Sequence, residues 1–236
     1  MGLPYFYIPA FDGNSGELTL DEDTSKHIIQ VLRMHPGEAL QLTDGKGSLL
    51  TAVIADDHRK RCRVTVGPVA MSPPRIRTVT IAISPLKNAS RFEWFIEKAA
   101  EIGVSRIIPL LCVRTERQSV RMDRLRQIAI SAMLQSQQAW LTDVDEPVEI
   151  DRLLASQMGG RRFIAHCLEV SHAPDSLAEV ARDEPVSTIL IGPEGDFTSE
   201  EVRMAIAAGF SPVSLGANRL RTETAGIVAA TLLCIG

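Results

Sequence analysis

Residues 186–197 read Val-Ser-Thr-Ile-Leu-Ile-Gly-Pro-Glu-Gly-Asp-Phe, a β-branched apolar run that leads directly into a glycine-containing loop. The next four residues, Thr-Ser-Glu-Glu at 198–201, have the spacing of a capping box and predict the start of a helix. A buried strand, a short loop and a capped helix form the unit from which parallel α/β sheets are built. Because ligands bind beyond the carboxyl ends of such strands, the loop at 192–197 is a candidate binding loop.

The same alternation of strand and helix extends over the C-terminal two-thirds of the chain. We predict further strands at 78–84, 104–113, 162–166 and 213–215. We predict helices from a capping box at 90–93 to Gly103, over 123–138, from 198 to Gly209, and from Thr222, as the cap, to the end. The pattern predicts a mostly parallel α/β sheet.

The first seventy residues follow a different pattern. Short alternating apolar stretches at 5–8, 39–43, 49–54 and 62–66 predict strands, with a hairpin turn at 44–47. One helix, capped by Asp23 or Thr24, would place Ile28, Val31 and Leu32 on a single face. The proline-rich stretch 67–77 is typical of a linker. We therefore predict a small β-barrel domain over 1–72 and an α/β domain over 73–236.

Composition and charge exclude several classes of protein. The chain is 45% hydrophobic and 23% charged, as expected for a folded protein, and its net charge of −4 gives no overall basicity. Its four cysteines form no CxxC pair and its five histidines no HxxxH, so we expect no metal. Without a basic leader or an apolar run of roughly 18 residues, we expect a cytoplasmic protein that does not enter the membrane.

A second candidate loop, at 215–224, also joins a predicted strand to a helix and contains Gly216 and Arg221. Both loops are equally compatible with ordinary tight turns. The absence of GxGxxG argues against a dinucleotide fold. Gly45-Lys46-Gly47-Ser48 lacks the remainder of a P-loop, so we interpret it as the hairpin turn.

Basic residues are concentrated locally despite the net negative charge. No acidic residue occurs from 58 to 77, five arginines occur from 114 to 126, and Arg33 stands beside His35. Such runs are usually solvated surface, but they also suit a phosphate track. The candidate RNA-binding residues are Arg33, His35, Arg59, Lys60, Arg61, Arg114 and Arg117.

Several motifs together resemble one family. They are His27 with Val31-Leu32-Arg33, Ser84-Pro85-Leu86-Lys87, Glu101-Ile102-Gly103-Val104, Gln135-Ser136, Ile191-Gly192-Pro193-Glu194-Gly195, and Leu220-Arg221-Thr222-Glu223-Thr224-Ala225. With these motifs in this order, the chain resembles the 16S ribosomal RNA (uracil-N3)-methyltransferases of the SPOUT superfamily. These enzymes make 3-methyluridine in the decoding region of the small ribosomal subunit. The matching segments run nearly from end to end.

The resemblance implies a PUA-like RNA-binding barrel followed by an α/β domain with a trefoil knot, and a homodimer that acts on 16S rRNA or the small subunit. It implies S-adenosyl-L-methionine as the cofactor. The residues that it implies for cofactor binding are Leu168, Ile191, Gly192, Pro193, Glu194, Gly195, Leu215, Gly216, Asn218, Leu220, Arg221 and Thr222. The chain departs from the family pattern at Gln135 for Glu, at 137–140, which lack the expected basic residue, at Asp196 for a second Gly, and at Asn218-Arg219 for Arg and an aliphatic residue.

For the chemistry we expect Arg221 to stabilise a uracil anion and Glu223 to orient Arg221 or remove the proton. Glu223 is also explained as a carboxylate favoured at a helix N-terminus. Two other functions stay open at this point. One is an RNA-binding assembly factor without catalysis, and the other is a different SPOUT reaction such as ribose or tRNA-base methylation, although no early Asn-x-x-Asn/Ser-Arg signature is present.

Overall fold

The computed structural model describes residues 2–11, 16–167, 174–182 and 184–235. The chain divides into two compact units. One, the small unit, comprises Met1–Pro74 together with Met133–Leu141, and the other, the large unit, comprises Arg75–Ala132 together with Thr142–Gly236. The sequence pattern gives no indication that Met133–Leu141 belongs with the N-terminal residues.

The described residues of the small unit form a five-stranded sheet of order β1-β3-β4-β5-β2. Its strands are β1 (Tyr5–Tyr7), β2 (Glu17–Thr19), β3 (Ala39–Thr43), β4 (Ser48–Asp56) and β5 (Arg63–Met71). The β1–β3 pair is parallel and the others are antiparallel. The four predicted strands are confirmed, whereas β2 was not predicted. The predicted start of a linker at Gly67 is wrong because β5 pairs with β4 as far as Met71.

The helix of the small unit, α1 (Glu22–Lys26), begins earlier than predicted. Asp21 caps it, with Oδ1 accepting a hydrogen bond from the Thr24 N–H at 2.8 Å, so the predicted caps Asp23 and Thr24 are wrong. A π-helical turn, His27–Val31, follows. The wider turn rotates later side chains away from the core. Val31 and Leu32 are therefore 68% and 44% exposed, and the prediction that they share the face of Ile28 is wrong.

The turn between β3 and β4 is the predicted hairpin. The Asp44 carboxylate accepts hydrogen bonds from the backbone N–H groups of Lys46 and Ser48. Trp140 lies against this turn, where a Cβ on Gly47 would stand 2.5 Å from its ring, and its Nε1 donates to the Pro73 carbonyl at 2.9 Å. These contacts explain why Met133–Leu141 belongs to the small unit.

The described residues of the large unit form an eight-stranded parallel sheet of order β11-β13-β10-β12-β6-β7-β8, with β9 beside β7. The strands are β6 (Thr78–Ile83), β7 (Arg106–Leu111), β8 (Asp143–Val144), β9 (Val148–Glu149), β10 (Arg161–Ala165), β11 (Asp175–Ser176), β12 (Val186–Ile191) and β13 (Ser211–Ser214). The helices are α2 (Ala89–Ile102), α3 (Met122–Gln135), α4 (Ile150–Leu154), α5 (Leu177–Val180), α6 (Ser199–Ala207) and α7 (Thr222–Cys234).

The predicted parallel sheet and its long elements are confirmed, and the shortest elements (β8, β9, α4, β11 and α5) were not predicted. The capping box of α6, Thr198 with Glu201, is present. The capping box predicted at Ser90 is wrong, because Asn88 caps α2 by accepting from the Ser90 N–H at 2.9 Å. Thr222 is the first residue of α7 rather than its cap, since Arg221 holds that position without a side-chain bond.

Helix α7 packs closely on the sheet and on α2 through Gly226. A Cβ on Gly226 would lie 2.5 Å from Cε2 of Phe95 and 2.9 Å from Cδ1 of Ile83, both fully buried. Such separations are shorter than real Cβ contacts, so this position admits no side chain without displacing the core. The C-terminal helix, which follows the second candidate loop directly, is thereby fixed at the sheet.

We expect Gly226→Val to lower Tm by at least about 2 °C, because overpacking costs about 1–3 kcal/mol and each kcal/mol shifts Tm by about 2–4 °C in a chain of this size. Differential scanning calorimetry measures the shift. Thr231→Val, at an exposed position of the same helix, is the matched control and should leave Tm nearly unchanged. Equal melting of the two variants would contradict the packing described.

Candidate functional site

The strands β13, β10 and β12 are neighbours in the sheet and end at the same edge. The segments that follow them border a cavity of about 450 Å³ within the large unit. Its volume lies within the roughly 300–1,000 Å³ of small-molecule sites. The lining residues are Arg91, Ala165, His166, Cys167, Pro174, Ile191, Gly192, Pro193, Glu194, Asp196, Val213, Ser214, Leu215, Gly216, Asn218, Arg219, Leu220, Arg221, Thr222, Glu223 and Ala225.

The loop after β12 is held in shape by contacts on its outer side. The ring of Phe197, which is fully buried, would lie 3.0 Å from a Cβ on Gly192, so a side chain at this position would require the ring to shift. Arg114 donates from Nη1 to the carbonyls of Gly195 at 2.7 Å and Phe197 at 3.3 Å. The loop is therefore fixed before any ligand binds.

A buried carboxylate supports the start of α6 beside this loop. Glu201 is 1% exposed, and its Oε2 accepts from the backbone N–H and the hydroxyl of Thr198. Its Oε1 accepts from the Val113 N–H at 2.8 Å. One side chain thus satisfies the helix cap and joins it to the segment after β7.

The second loop, after β13, brings two charged side chains to the cavity. Gly216 has a φ of +132°, a conformation that glycine adopts and other residues rarely do. Arg221 is exposed at the N-cap of α7, and Glu223 is 7% exposed in the first turn. The Glu223 Oε1 lies 3.7 Å from Nε of Arg91, which projects from α2. A guanidinium and a nearly buried carboxylate therefore stand at one end of the cavity.

The structure brings most of the predicted site residues together. Arg221, Glu223 and all but two of the predicted cofactor-binding residues line the cavity. Gly195 lies beside it and contributes its carbonyl to the contact with Arg114, and Leu168 lies outside the described residues.

Sequence reasoning missed Arg91 and Asp196 as lining residues. Arg91 was interpreted only as part of a helix cap, and no spacing links it to the loop after β13, 130 residues along the chain. Asp196 was noted only as a departure from the family pattern. The third segment, which includes Ala165, His166 and Cys167, was anticipated in part through the resemblance.

The predicted RNA-binding residues of the small unit are all exposed: Arg33, His35, Arg59, Lys60 and Arg61. Lys60 shares Glu22 with Lys26, its Nζ lying 3.4 Å from the carboxylate. Arg33 has a φ of +56°, directly after the exposed Val31 and Leu32. These side chains are accessible to a large ligand at the surface.

The arginines between 114 and 126 are largely engaged within the large unit. Arg114 holds the loop after β12, and Arg117 donates to the Ser119 carbonyl at 3.0 Å. The others pair with carboxylates: Arg121 and Arg124 with Glu93, and Arg126 with Glu146. This cluster therefore presents less free positive charge than its sequence indicates.

Among the described residues, no three His, Cys, Asp or Glu side chains are grouped as metal ligands would be. None of the helices formed by the described residues is both long enough and apolar enough to span a bilayer.

Two family models match the chain, an RNA methyltransferase domain over residues 73–234 and an RNA methyltransferase PUA domain over residues 20–67. Ribosomal RNA small subunit methyltransferase E of Synechocystis sp. is 30% identical over 216 residues, which cover 90% of this chain and 71% of the relative.

Two crystal structures share the fold over nearly the whole chain. A probable rRNA-methyltransferase from Porphyromonas gingivalis has a TM-score of 0.88 and 40% identity, covering 98% of each chain. Ribosomal RNA small subunit methyltransferase E from Neisseria gonorrhoeae, bound to S-adenosyl methionine, has a TM-score of 0.87 and 27% identity, covering 98% of this chain and 96% of its own.

The fold, the cavity at the strand ends and the two family models define an RNA methyltransferase with a PUA domain. Within that class the chain belongs to the family of ribosomal RNA small subunit methyltransferase E, in the SPOUT superfamily. The resemblance on which the sequence analysis rests is confirmed.

The cysteines provide a probe of the cavity. Cys167 is exposed and lines it, whereas burial raises the pKa of the Cys62 and Cys112 thiols and raises that of Cys234 to about 11. Since the thiolate is the reactive form, iodoacetamide at pH 8 should modify Cys167 at least about tenfold faster than the others. Peptide mass spectrometry over time gives the rates, with Cys167→Ser as the control. Similar rates at all four sites would contradict the assignment of exposure.

Proposed function

We propose that this protein transfers a methyl group from S-adenosyl-L-methionine to N3 of a specific uridine of 16S rRNA, forming 3-methyluridine in the cytoplasm. The observation that carries the proposal is the cavity at the ends of β10, β12 and β13, with Arg221 and Glu223 at its border. Family membership and the cofactor bound by the Neisseria gonorrhoeae relative support the same reaction.

The residues of the cavity fit this cofactor. Its charged lining is balanced, with three arginines (Arg91, Arg219, Arg221) against three carboxylates (Glu194, Asp196, Glu223). S-adenosyl-L-methionine carries both an ammonium and a carboxylate beside its sulfonium, so a mixed lining suits it better than one sign of charge. Glycines at 192 and 216 let backbone groups approach a ligand closely. We assign cofactor binding to the predicted residues, Leu168 included.

We further propose that the α/β domain is knotted, that the N-terminal sheet closes into a PUA-like barrel with the boundary near Ser72, and that the enzyme is a homodimer. In support of a knot, the C-terminal α7 packs against α2 and β6, elements from the other end of the same unit, with Gly226 in contact with Phe95. The match to a PUA domain supports the barrel.

The target uridine has to be unpaired, because N3 lies on its Watson–Crick edge and carries a proton. Loss of that proton spreads negative charge over O2 and O4. The Arg221 guanidinium, exposed at the border of the cavity, is positioned to stabilise this anion when RNA excludes water from the site. The cofactor supplies an electrophilic methyl group when bound. Arg221 therefore lowers the barrier by favouring the charge that develops on the base.

Glu223 is the one nearly buried carboxylate among the charged lining residues that the structure describes. Its position in the first turn of α7 is also favoured by the helix dipole. The Arg91 Nε stands 3.7 Å from its Oε1, so the carboxylate faces a cation on one side and can accept a hydrogen bond. We assign Glu223 to orienting Arg221 or removing the N3 proton.

For RNA binding we assign Arg33, His35, Arg59, Lys60 and Arg61 of the small unit, with Arg114 and Arg117 of the large unit. The first group is exposed. Arg114 also fixes the cofactor loop, so its contribution to RNA affinity is smaller than its charge suggests. The partner is 16S rRNA or the small ribosomal subunit.

The direct test is incubation of the purified protein with S-adenosyl-L-methionine and either 16S rRNA or small subunits from cells that lack the gene. Nucleoside mass spectrometry should show 3-methyluridine with at least one of these substrates. A 2′-O-methylated nucleoside would identify a different reaction, and a lack of cofactor binding by calorimetry would favour an assembly factor without catalysis.

Arg221→Ala should lower the single-turnover methylation rate at least about a hundredfold, the effect of losing one group that stabilises developing charge. Its affinity for the cofactor should fall by a much smaller factor than the rate, because the proposed role of the guanidinium is toward the base. Arg203→Ala, which removes an exposed arginine of α6 outside the cavity, is the control. A rate within threefold of the parent would show that Arg221 has no catalytic role.

Reversing Arg59, Lys60 and Arg61 to glutamate should weaken RNA affinity and flatten its dependence on salt, since fewer counterions are released on binding. Filter binding from 50 to 200 mM salt measures the slope. The cofactor affinity of this variant, measured by calorimetry, should equal that of the parent. If the slope is unchanged, these side chains do not face RNA.

A further inference from the structure

Asp196 stands in an unusual conformation in the loop after β12. Its φ is +63°, and among the described residues only Arg33 and Gln137 share a positive φ without being glycine. Its N–H donates to the Pro193 carbonyl at 2.9 Å, which closes a tight turn. Aspartate is one of the few residues that tolerate this left-handed region, although glycine does so at lower cost. The presence of aspartate at this position therefore calls for an explanation in the contacts of its side chain.

The Asp196 carboxylate joins two segments that border the cavity. Its Oδ1 accepts from the N–H of Phe197 at 2.7 Å, in its own loop. Its Oδ2 accepts from the N–H of Cys167 at 2.8 Å, in the segment after β10. Both Asp196 and Cys167 line the cavity.

This contact lies beyond the point at which the sheet can hold the two segments together. The ladder between β10 and β12 ends with the pair Ala165 and Ile191. Cys167 is two residues past that pair, where its N–H has no strand to donate to. A carboxylate acceptor replaces the missing ladder bond, and hydrogen bonds to such acceptors are stronger than those between neutral groups.

We propose that Asp196 is a positioning residue for the cofactor site, which sets the spacing between the loop after β12 and the segment after β10 before the cofactor binds. It acts through the Cys167 backbone rather than by touching the reacting atoms. The proposal rests on the proposed function, because it concerns the same cavity and the same cofactor. Preorganisation of this kind raises affinity by reducing the ordering that binding requires.

Two substitutions distinguish the effect of the Asp196 carboxylate from the effect of the backbone conformation at this position. Asp196→Gly retains a residue that adopts positive φ freely but removes both acceptors. Asp196→Asn also tolerates this conformation and keeps the shape, but it offers one acceptor oxygen to two N–H donors. Asp151→Asn, at an exposed position of α4 outside the cavity, is the matched control.

Calorimetry with S-adenosyl-L-methionine and with S-adenosylhomocysteine gives the affinities. We expect Asp196→Gly to raise Kd for both by about tenfold, which is about 1.4 kcal/mol. Asp196→Asn should raise Kd by a smaller factor, equal for the two ligands. At saturating cofactor the single-turnover rate should fall by a smaller factor than the affinity does. Hydrogen exchange without ligand should accelerate at the Cys167 amide and remain unchanged at Phe163 in β10.

The outcomes are distinguishable. A loss of affinity for S-adenosyl-L-methionine alone would show a direct charge interaction with the sulfonium and would overturn the positioning role. Unchanged affinity for both ligands in a parent that binds them would overturn it as well. Failure of the parent protein to bind either ligand would instead overturn the proposed function, and this inference with it.

Discussion

The site depends on one constraint, which is that backbone groups beyond the ends of the strands need partners that the sheet no longer supplies. Parallel strands satisfy one another only as far as their ladder extends, and every backbone N–H and C=O beyond it remains a strong hydrogen-bonding group. In this protein three charged side chains provide hydrogen-bond partners for backbone groups beyond the strand ends. Arg114 holds the carbonyls of Gly195 and Phe197, Glu201 accepts from Val113, and Asp196 accepts from Cys167. The cavity is thus formed by loops whose shape is already determined.

The fold of the large unit was largely predictable from sequence because its signals are local. Strand β12 is a β-branched run, and the capping box of α6 lies within four residues. Errors occur where a neighbouring residue or a local irregularity of the helix replaces the expected pattern. Asn88 rather than Ser90 caps α2, and the π-helical turn at His27–Val31 exposes Val31 and Leu32, which a regular helix would have buried beside Ile28.

The site was predictable in outline and not in its cross-connections. The two glycine loops stand out because each follows a strand and precedes a helix. The pairing of Arg91 with Glu223 and that of Asp196 with Cys167 join residues 132 and 29 positions apart, and no spacing rule relates them. The family resemblance likewise anticipated the loops and not these pairs, because the motifs that carry it are contiguous stretches of sequence. Asp196, which departs from the family pattern, accepts hydrogen bonds from the N–H groups of Phe197 and Cys167.

The distribution of arginines separates the two tasks of an RNA-modifying enzyme. Those between 114 and 126 are engaged by carbonyls or by carboxylates such as Glu93 and Glu146, so they stabilise the large unit more than they attract phosphate. The charges that line the cavity balance one another. A site of this kind generates little net field, so in the proposed mechanism stabilisation of a uracil anion depends on the placement of Arg221 and not on a general excess of positive charge. In the proposed function, affinity for RNA then comes mainly from cations elsewhere, and Arg33, Arg59 and Arg61 of the small unit are exposed.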